Sequence, residues 1–157
     1  MIKVLFICHG NICRSPMAEF IMKDMAKKRN LDCIVESCAT SYEEIGNDIH
    51  YGTKRILDKY NIPYDKRKAR RITMDDYQKF DLIICMDQNN MYNLKRINSD
   101  TSKVHLLLEF VGLNRDVLDP WYTGDFQATY DDIVLGIKGL IDFLEGNDYS
   151  ASWVYEG

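Results

Sequence analysis

The sequence has few residues that break regular structure and no long apolar stretch. Only three of its 157 residues are proline and nine are glycine. No apolar run approaches the roughly 20 residues of a membrane-spanning helix, so we expect no membrane association. With 46% hydrophobic and 28% charged residues, the composition is typical of one compact soluble domain. We therefore predict a single domain over residues 1–157, with residues 146–157 as a C-terminal tail of uncertain order.

Several targeting and binding signals are also missing. The N-terminus lacks the basic segment and cleavage site of a signal peptide, so we expect a cytoplasmic protein with reduced thiols. A net charge of −4 gives no overall attraction to nucleic acid, and the basic run over residues 66–71 is interpreted as a solvated surface segment. The five cysteines contain no C-x-x-C pair, and the three histidines are far apart in sequence. We therefore predict no metal site.

Strand-like and helical patterns alternate along the chain. Apolar runs predict four strands, at Val4–Ile7, Cys33–Ser37, Asp81–Cys85 and Lys103–Leu108. Helical signals lie between and after them: an N-cap at Ser15 with Pro16 following, a helix over His50–Tyr60, a capping box at Thr73–Asp76, a structural N-cap at Asp87, and an apolar repeat from Ile133 to Leu144. This alternation predicts an α/β fold, a four-stranded parallel sheet with helices on both faces.

The segment between the first strand and the first helix, C-H-G-N-I-C-R-S-P (8–16), has the residues of an anion-binding loop. It follows the carboxyl end of a buried strand, where open parallel sheets bind ligands. Its N–H groups could converge on one anion with the helix dipole behind them. Gly10 and Asn11 tolerate the tight turn, and Arg14 offers a planar fork matched to two phosphate oxygens. The predicted phosphate-binding residues are His9, Gly10, Asn11, Ile12, Cys13, Arg14 and Ser15.

Cys8 is the predicted nucleophile of this loop. A helix N-terminus and Arg14 would stabilise its thiolate at neutral pH without a histidine base. Ser15 could donate a hydrogen bond to the sulfur when it becomes the leaving group. An alternative interpretation stays open at this point, in which Cys8 and Cys13 are ordinary buried thiols in a tight turn.

A second segment, D-P-W-Y (119–122), offers an acid. Asp119 could protonate a departing oxygen, since Pro120 stiffens the loop around it. Trp121 and Tyr122 could form an aromatic wall beside a flat leaving group. Taken alone, the same segment is also compatible with a plain turn.

These two segments together resemble the low-molecular-weight protein tyrosine phosphatases, and the likeness extends over roughly residues 2–144. The resemblance implies hydrolysis of phosphotyrosine and aryl phosphates through a phosphocysteine intermediate, with no metal or other cofactor. It implies phosphotyrosine proteins or peptides as partners and a phosphatase domain over the whole chain. We expect a monomer that can form a weak dimer. The resemblance leaves the identity of the physiological substrate open.

The resemblance also assigns roles by motif. It makes Cys8 the nucleophile and Arg14 a ligand of the phosphoryl oxygens. It makes Asp119 the group that protonates the tyrosyl oxygen and then activates water. Cys13 matches the family's second loop cysteine, which can form a reversible disulfide with the nucleophile.

The cleft wall and the residues that support the loop can also be compared with those of the family. The family's aromatic wall falls on Tyr42, Trp121 and Tyr122. A histidine that often joins a network bracing Asn11 and Ser37 is replaced here by Arg67, in a segment one residue longer. The resemblance therefore leaves open how the loop is braced.

Two alternative functions share these sequence features. Arsenate reductases of the same fold also have the cysteine loop, but their redox relay needs further cysteines near the end of the third strand, where only Cys85 stands. A non-catalytic phosphotyrosine-binding module would be the natural interpretation if any of the three predicted catalytic residues were replaced, but all three are present.

Overall fold

The computed structural model of the chain describes residues 1–146 and contains one parallel sheet. Its four strands lie in the order β2-β1-β3-β4, with bounds Ile2–Cys8 (β1), Cys33–Ala39 (β2), Leu82–Cys85 (β3) and Val104–Leu106 (β4). The predicted four-stranded parallel sheet is confirmed. Apart from Gly146, the predicted tail lies outside the described residues.

Helices cover both faces of the sheet, as predicted. They are α1 (Arg14–Lys28), α2 (Tyr51–Lys59), α3 (Met74–Lys79), α4 (Gln88–Ile97), α5 (Pro120–Thr123) and α6 (Phe126–Leu144). Alternate residues of β1 enter two separate cores: Val4 and Phe6 pack with residues of α1 and α6, whereas Leu5 and Ile7 pack with residues of α3 and α4. Within residues 1–146, none of the helices has the length and apolar character needed to cross a bilayer.

Two predicted helix starts are confirmed and one is wrong. Thr73 and Asp87 both form capping boxes, at the N-termini of α3 and α4. Ser15, in contrast, is not an N-cap, because α1 already begins at Arg14 and its N-cap residue is Cys13, which makes no side-chain capping bond. The Ser15 hydroxyl instead contacts the side chains of Cys8 and Asn11.

The fourth strand is shorter than predicted. It ends at Leu106, and residues 107–111 form a 3-10 helix that ends at Gly112 in the left-handed region, with φ of 73°. Glu109 accepts a hydrogen bond from the Leu106 amide and favours the turn. Leu107 and Leu108 are nonetheless buried. Burial explains why the apolar run resembles a strand, since periodicity cannot separate short buried strands from short buried turns.

The strand order determines where a ligand can bind. The chain passes from β1 to β2 on one side and then crosses to β3 on the other side of β1. Connections that leave in opposite directions open a crevice at the carboxyl ends of these strands. Cys8, the last residue of β1, lies at this edge.

Candidate active site

A cavity opens at the carboxyl end of β1 and brings together segments that are distant in sequence. Residues of the loop that follows β1 form one part of its lining, and residues 43–44 and 119–122 supply the rest. The lining residues are Cys8, His9, Gly10, Ile12, Cys13, Arg14, Glu43, Glu44, Asp119, Trp121 and Tyr122. The predicted nucleophile, anion ligand and acid therefore share one cavity.

The sulfur of Cys8 is surrounded by hydrogen-bond donors. Its Sγ lies 2.9 Å from the Ser15 Oγ, 3.3 Å from the Asn11 amide nitrogen and 3.4 Å from the Ser15 amide nitrogen. Cys8 is only 3% exposed, so little water competes for these contacts. Donors at these positions stabilise negative charge on the sulfur.

Arg14 is held by two carboxylates and a carbonyl from two other segments. Its Nη1 donates to Asp87 Oδ2 at 2.8 Å and to the Val117 carbonyl at 2.7 Å, and its Nη2 lies 3.5 Å from Asp119 Oδ2. Burial alone would lower the pKa of Arg14, but the negative charges of Cys8, Asp87 and Asp119 outweigh it and raise that pKa. A side chain that is 2% exposed is therefore both charged and fixed in direction.

Asp119 begins the short helix α5 rather than lying in a plain loop. Its Oδ1 accepts a hydrogen bond from the Trp121 amide at 3.0 Å, while Oδ2 faces Arg14. Pro120 occupies the first turn of α5, where its missing N–H costs nothing. Trp121 and Tyr122 stand 57% and 83% exposed at the cavity rim. This turn therefore places the carboxylate inside the cavity and the aromatic rings at its mouth.

A buried network supports the loop from behind. Asn11 adopts φ of 60° and is 1% exposed. Its Nδ2 donates to Ser15 Oγ at 2.8 Å and to Ser37 Oγ at 3.0 Å, and Ser37 Oγ in turn donates to Glu19 at 2.6 Å. Arg67 Nη2 donates to Asn11 Oδ1 at 2.7 Å. Arg67 thus occupies the bracing position that the sequence left open.

Cys13 lines the same cavity as Cys8, and its surroundings favour the neutral thiol. Burial raises the pKa of Cys13, and the nearby charges of Cys8 and Asp119 raise it further. Both thiols are free. Among residues 1–146, no group of three or more His, Cys, Asp or Glu side chains is placed to hold a metal ion.

Tyr42 is placed differently from the other predicted cleft residues. It is 70% exposed and is not among the residues that line the cavity. The Arg71 guanidinium lies over its ring, 4.2 Å from the ring centroid. The neighbouring Glu43 and Glu44 reach the cavity instead, and Glu43 pairs with His9 Nε2 at 2.9 Å.

The match to a family model agrees with this geometry. The model of the low molecular weight phosphotyrosine protein phosphatases matches residues 3–149. The chain belongs to this family. A member from Staphylococcus aureus, the low molecular weight protein-tyrosine-phosphatase PtpA, is 42% identical over 147 residues, which cover 92% of this chain and 94% of PtpA.

Solved structures show the same likeness in three dimensions. The low molecular weight protein tyrosine phosphatase SP-PTP from Streptococcus pyogenes is 44% identical, with a TM-score of 0.83 over 92% of this chain and 93% of its own. YfkJ from Bacillus subtilis is 39% identical, with a TM-score of 0.90 over 93% of this chain and 96% of YfkJ. The family's fold therefore extends through nearly all of the described residues.

Sequence reasoning missed several groups that hold the site together. Asp87 was interpreted only as a helix cap, yet its Oδ1 caps α4 while its Oδ2 binds Arg14. Its position two residues after the end of β3, at the same sheet edge as Cys8, was a signal in the sequence that could have identified it. Glu19 offered a weaker one, as an acidic residue among the buried positions of α1. The Val117 carbonyl gave none, because a backbone acceptor leaves no trace in the sequence.

Proposed function

We propose that the chain hydrolyses phosphotyrosine in proteins or peptides, and small aryl phosphates, through a phosphocysteine intermediate. The observation that supports this most directly is one cavity that holds the Cys8 sulfur, the Arg14 guanidinium and the Asp119 carboxylate under an aromatic rim. A nucleophile, an anion ligand and a proton donor are the groups that cleavage of a phosphate monoester requires.

In the first step, the Cys8 thiolate attacks phosphorus and the bond from phosphorus to the tyrosyl oxygen breaks. Arg14 and the amides of the loop bind the phosphoryl oxygens, whose charge shifts as the reaction proceeds. Asp119 transfers its proton to the tyrosyl oxygen, which leaves as neutral tyrosine. Because Arg14 is already fixed by Asp87 and Val117, it needs little reorganisation to bind the phosphoryl group.

In the second step, water attacks phosphorus and the bond from phosphorus to sulfur breaks. The Asp119 carboxylate accepts a proton from this water, so the acid of the first step is the base of the second. The sulfur leaves as a thiolate, which is stabilised by hydrogen bonds from the Ser15 hydroxyl and two backbone amides. Inorganic phosphate is released and the enzyme returns to its starting state.

The shape of the cavity favours tyrosine over serine. The sulfur is almost fully buried, whereas Trp121 and Tyr122 project at the mouth. A long flat tyrosyl phosphate can reach the sulfur while its ring contacts these side chains. A phosphoserine would have to bring its peptide backbone past the same rim, so we expect a lower kcat/KM for phosphoserine peptides.

The arsenate reductase alternative finds little support in the positions of the other thiols. Cys85 is fully buried in the core on the α3 and α4 side of the sheet, and Cys38 is also fully buried. Burial raises the pKa of both thiols. A redox relay needs accessible thiolates, and neither residue offers one.

The test is phosphate release from a phosphotyrosine peptide without added metal or thioredoxin. We expect turnover by the parent protein and none by Cys8→Ser. Cys33→Ser is the matched control, since Cys33 is a half-buried thiol at the opposite end of the neighbouring strand; it should retain parental activity. Absence of turnover by the parent, or equal turnover by parent and Cys8→Ser, would overturn the proposal.

A further inference from the structure

A second pocket adjoins the active-site cavity and has a basic lining. Its polar lining residues are His9, Thr40, Ser41, Arg71, Asn93 and Arg96. None of the described residues that line it carries a carboxylate. His9 also lines the active-site cavity, so the two depressions share a wall.

The two arginines of this pocket contact a carbonyl group and aromatic rings. Arg71 Nε donates to the Thr40 carbonyl at 3.0 Å, and its guanidinium lies over the Tyr42 ring. Arg96 lies over the Tyr92 ring at 5.9 Å. Within residues 1–146, neither forms an ion pair with a carboxylate. Their positive charge is therefore available to an anion from outside.

The wall that carries Arg71 is held by backbone hydrogen bonds. Arg71 forms a parallel bridge with Ala39 at the end of β2, where Ala39 donates to the Arg70 carbonyl and Ile72 donates to the Ala39 carbonyl. Beside this bridge, the Thr40 hydroxyl is buried and has no hydrogen-bond partner within the described part of the chain. Arg71 is therefore a cation with a fixed position in this wall.

The pocket is one strand away from the nucleophile. The Thr40 amide donates to the Cys8 carbonyl and the Ser41 amide donates to the His9 carbonyl, both at 3.1 Å. Ala39 pairs with both Cys8 and Arg71, so the Arg71 backbone lies two strand spacings, about 10 Å, from that of Cys8. An extended peptide advances about 3.3 Å per residue, so about three residues cover this distance. A residue one to three positions from a bound phosphotyrosine can therefore reach Arg71 and Arg96.

We propose that this pocket binds an anionic side chain, a carboxylate or a second phosphate, that flanks the phosphotyrosine of a peptide substrate. The inference rests on the proposed function and extends it to substrate selection. Arg71 supplies a positioned guanidinium, and Arg96, an exposed residue in the last turn of α4, supplies a second one. Contacts of this kind discriminate among peptides without changing the reaction at phosphorus.

The test uses a set of phosphotyrosine peptides with glutamate or phosphoserine at one position between −3 and +3, each compared with its alanine counterpart. At one or more positions we expect the acidic peptide to have a kcat/KM about three to tenfold higher for the parent protein. The preference should shrink at high salt, because exposed charges are screened. Arg96→Glu should abolish or reverse it.

Lys95→Glu is the matched control, since Lys95 is an exposed cation beside Arg96 on α4 but does not line the pocket. It should retain the preference, and both variants should hydrolyse a small aryl phosphate at the parental rate. Equal kcat/KM for acidic and alanine peptides in the parent would overturn the inference, as would equal loss of preference in the two variants. Failure of the parent to hydrolyse the aryl phosphate would instead overturn the proposed function.

Discussion

We expect Arg67→Met to slow catalysis while the protein remains folded. Arg67 lies behind the loop that follows β1, and its shortest contact is the 2.7 Å hydrogen bond from Nη2 to Asn11 Oδ1. Two longer contacts, of 3.3 and 3.5 Å, reach the carbonyls of Ser37 and Asn11. Methionine retains the aliphatic stem and removes the donors. The variant therefore tests whether the brace positions the loop.

The size of the effect follows from what remains after the change. A hydrogen bond to a charged donor contributes about 1.5–3 kcal/mol. Asn11 Oδ1 still accepts from the Arg70 amide at 3.2 Å, so it is not left without a partner. We take a loss of about 2 kcal/mol. If all of it is lost from transition-state stabilisation, kcat falls by about 30-fold.

The assay is steady-state hydrolysis of a small aryl phosphate, with thermal unfolding measured on the same samples. Arg67→Lys keeps one charged donor and should recover part of kcat. Lys68→Met is the control, because Lys68 is a neighbouring exposed cation; it should match the parent. Parental kcat in Arg67→Met would refute the reasoning. So would a loss of kcat that matches the fraction of unfolded protein, because the residue would then act on stability alone.

Three further predictions concern single side chains. Asp119→Asn keeps the acceptor that caps α5 but cannot transfer a proton, so kcat for aryl phosphates should fall by about 10² to 10⁴ while inhibition by inorganic phosphate persists; an unchanged kcat would remove Asp119 from the acid role. Cys13→Ser should make inactivation by peroxide harder to reverse with added thiol if Cys13 protects Cys8, and equal recovery of variant and parent would contradict this. Burial raises the pKa of Asp76, but hydrogen bonds from Arg70 and the Thr73 backbone outweigh it, so the pKa lies below its usual value. Asp76→Asn should therefore lower the free energy of unfolding at pH 7 by about 1 kcal/mol, and the difference should disappear as the pH falls through the lowered pKa. Denaturant titrations that show a constant difference down to about pH 2 would contradict it.

The errors of sequence analysis have one physical origin. Ser15 has the residue type of an N-cap and precedes proline, so local propensity favours it at the helix start. Its hydroxyl instead contacts Cys8 and Asn11, which become neighbours only when the loop closes. Similarly, the apolar run over residues 103–108 indicates only that its apolar residues are buried. It does not distinguish a strand from the 3-10 helix that follows β4. Both cases are tertiary effects on a local pattern.

The sequence alone determined the sheet, its alternation with helices, and the composition of the loop between β1 and α1, because these depend on residues that are close together along the chain. The spacing of Cys8, Gly10 and Arg14 predicts the loop without knowledge of any other segment. Tertiary structure decided what surrounds it: the strand order brings Asp87 and Asp119 to Arg14, and the segment after α2 brings Arg67 to Asn11. Those contacts span 56 to 105 residues of sequence. No local periodicity encodes such a distance, so only the packed fold reveals how the loop is held.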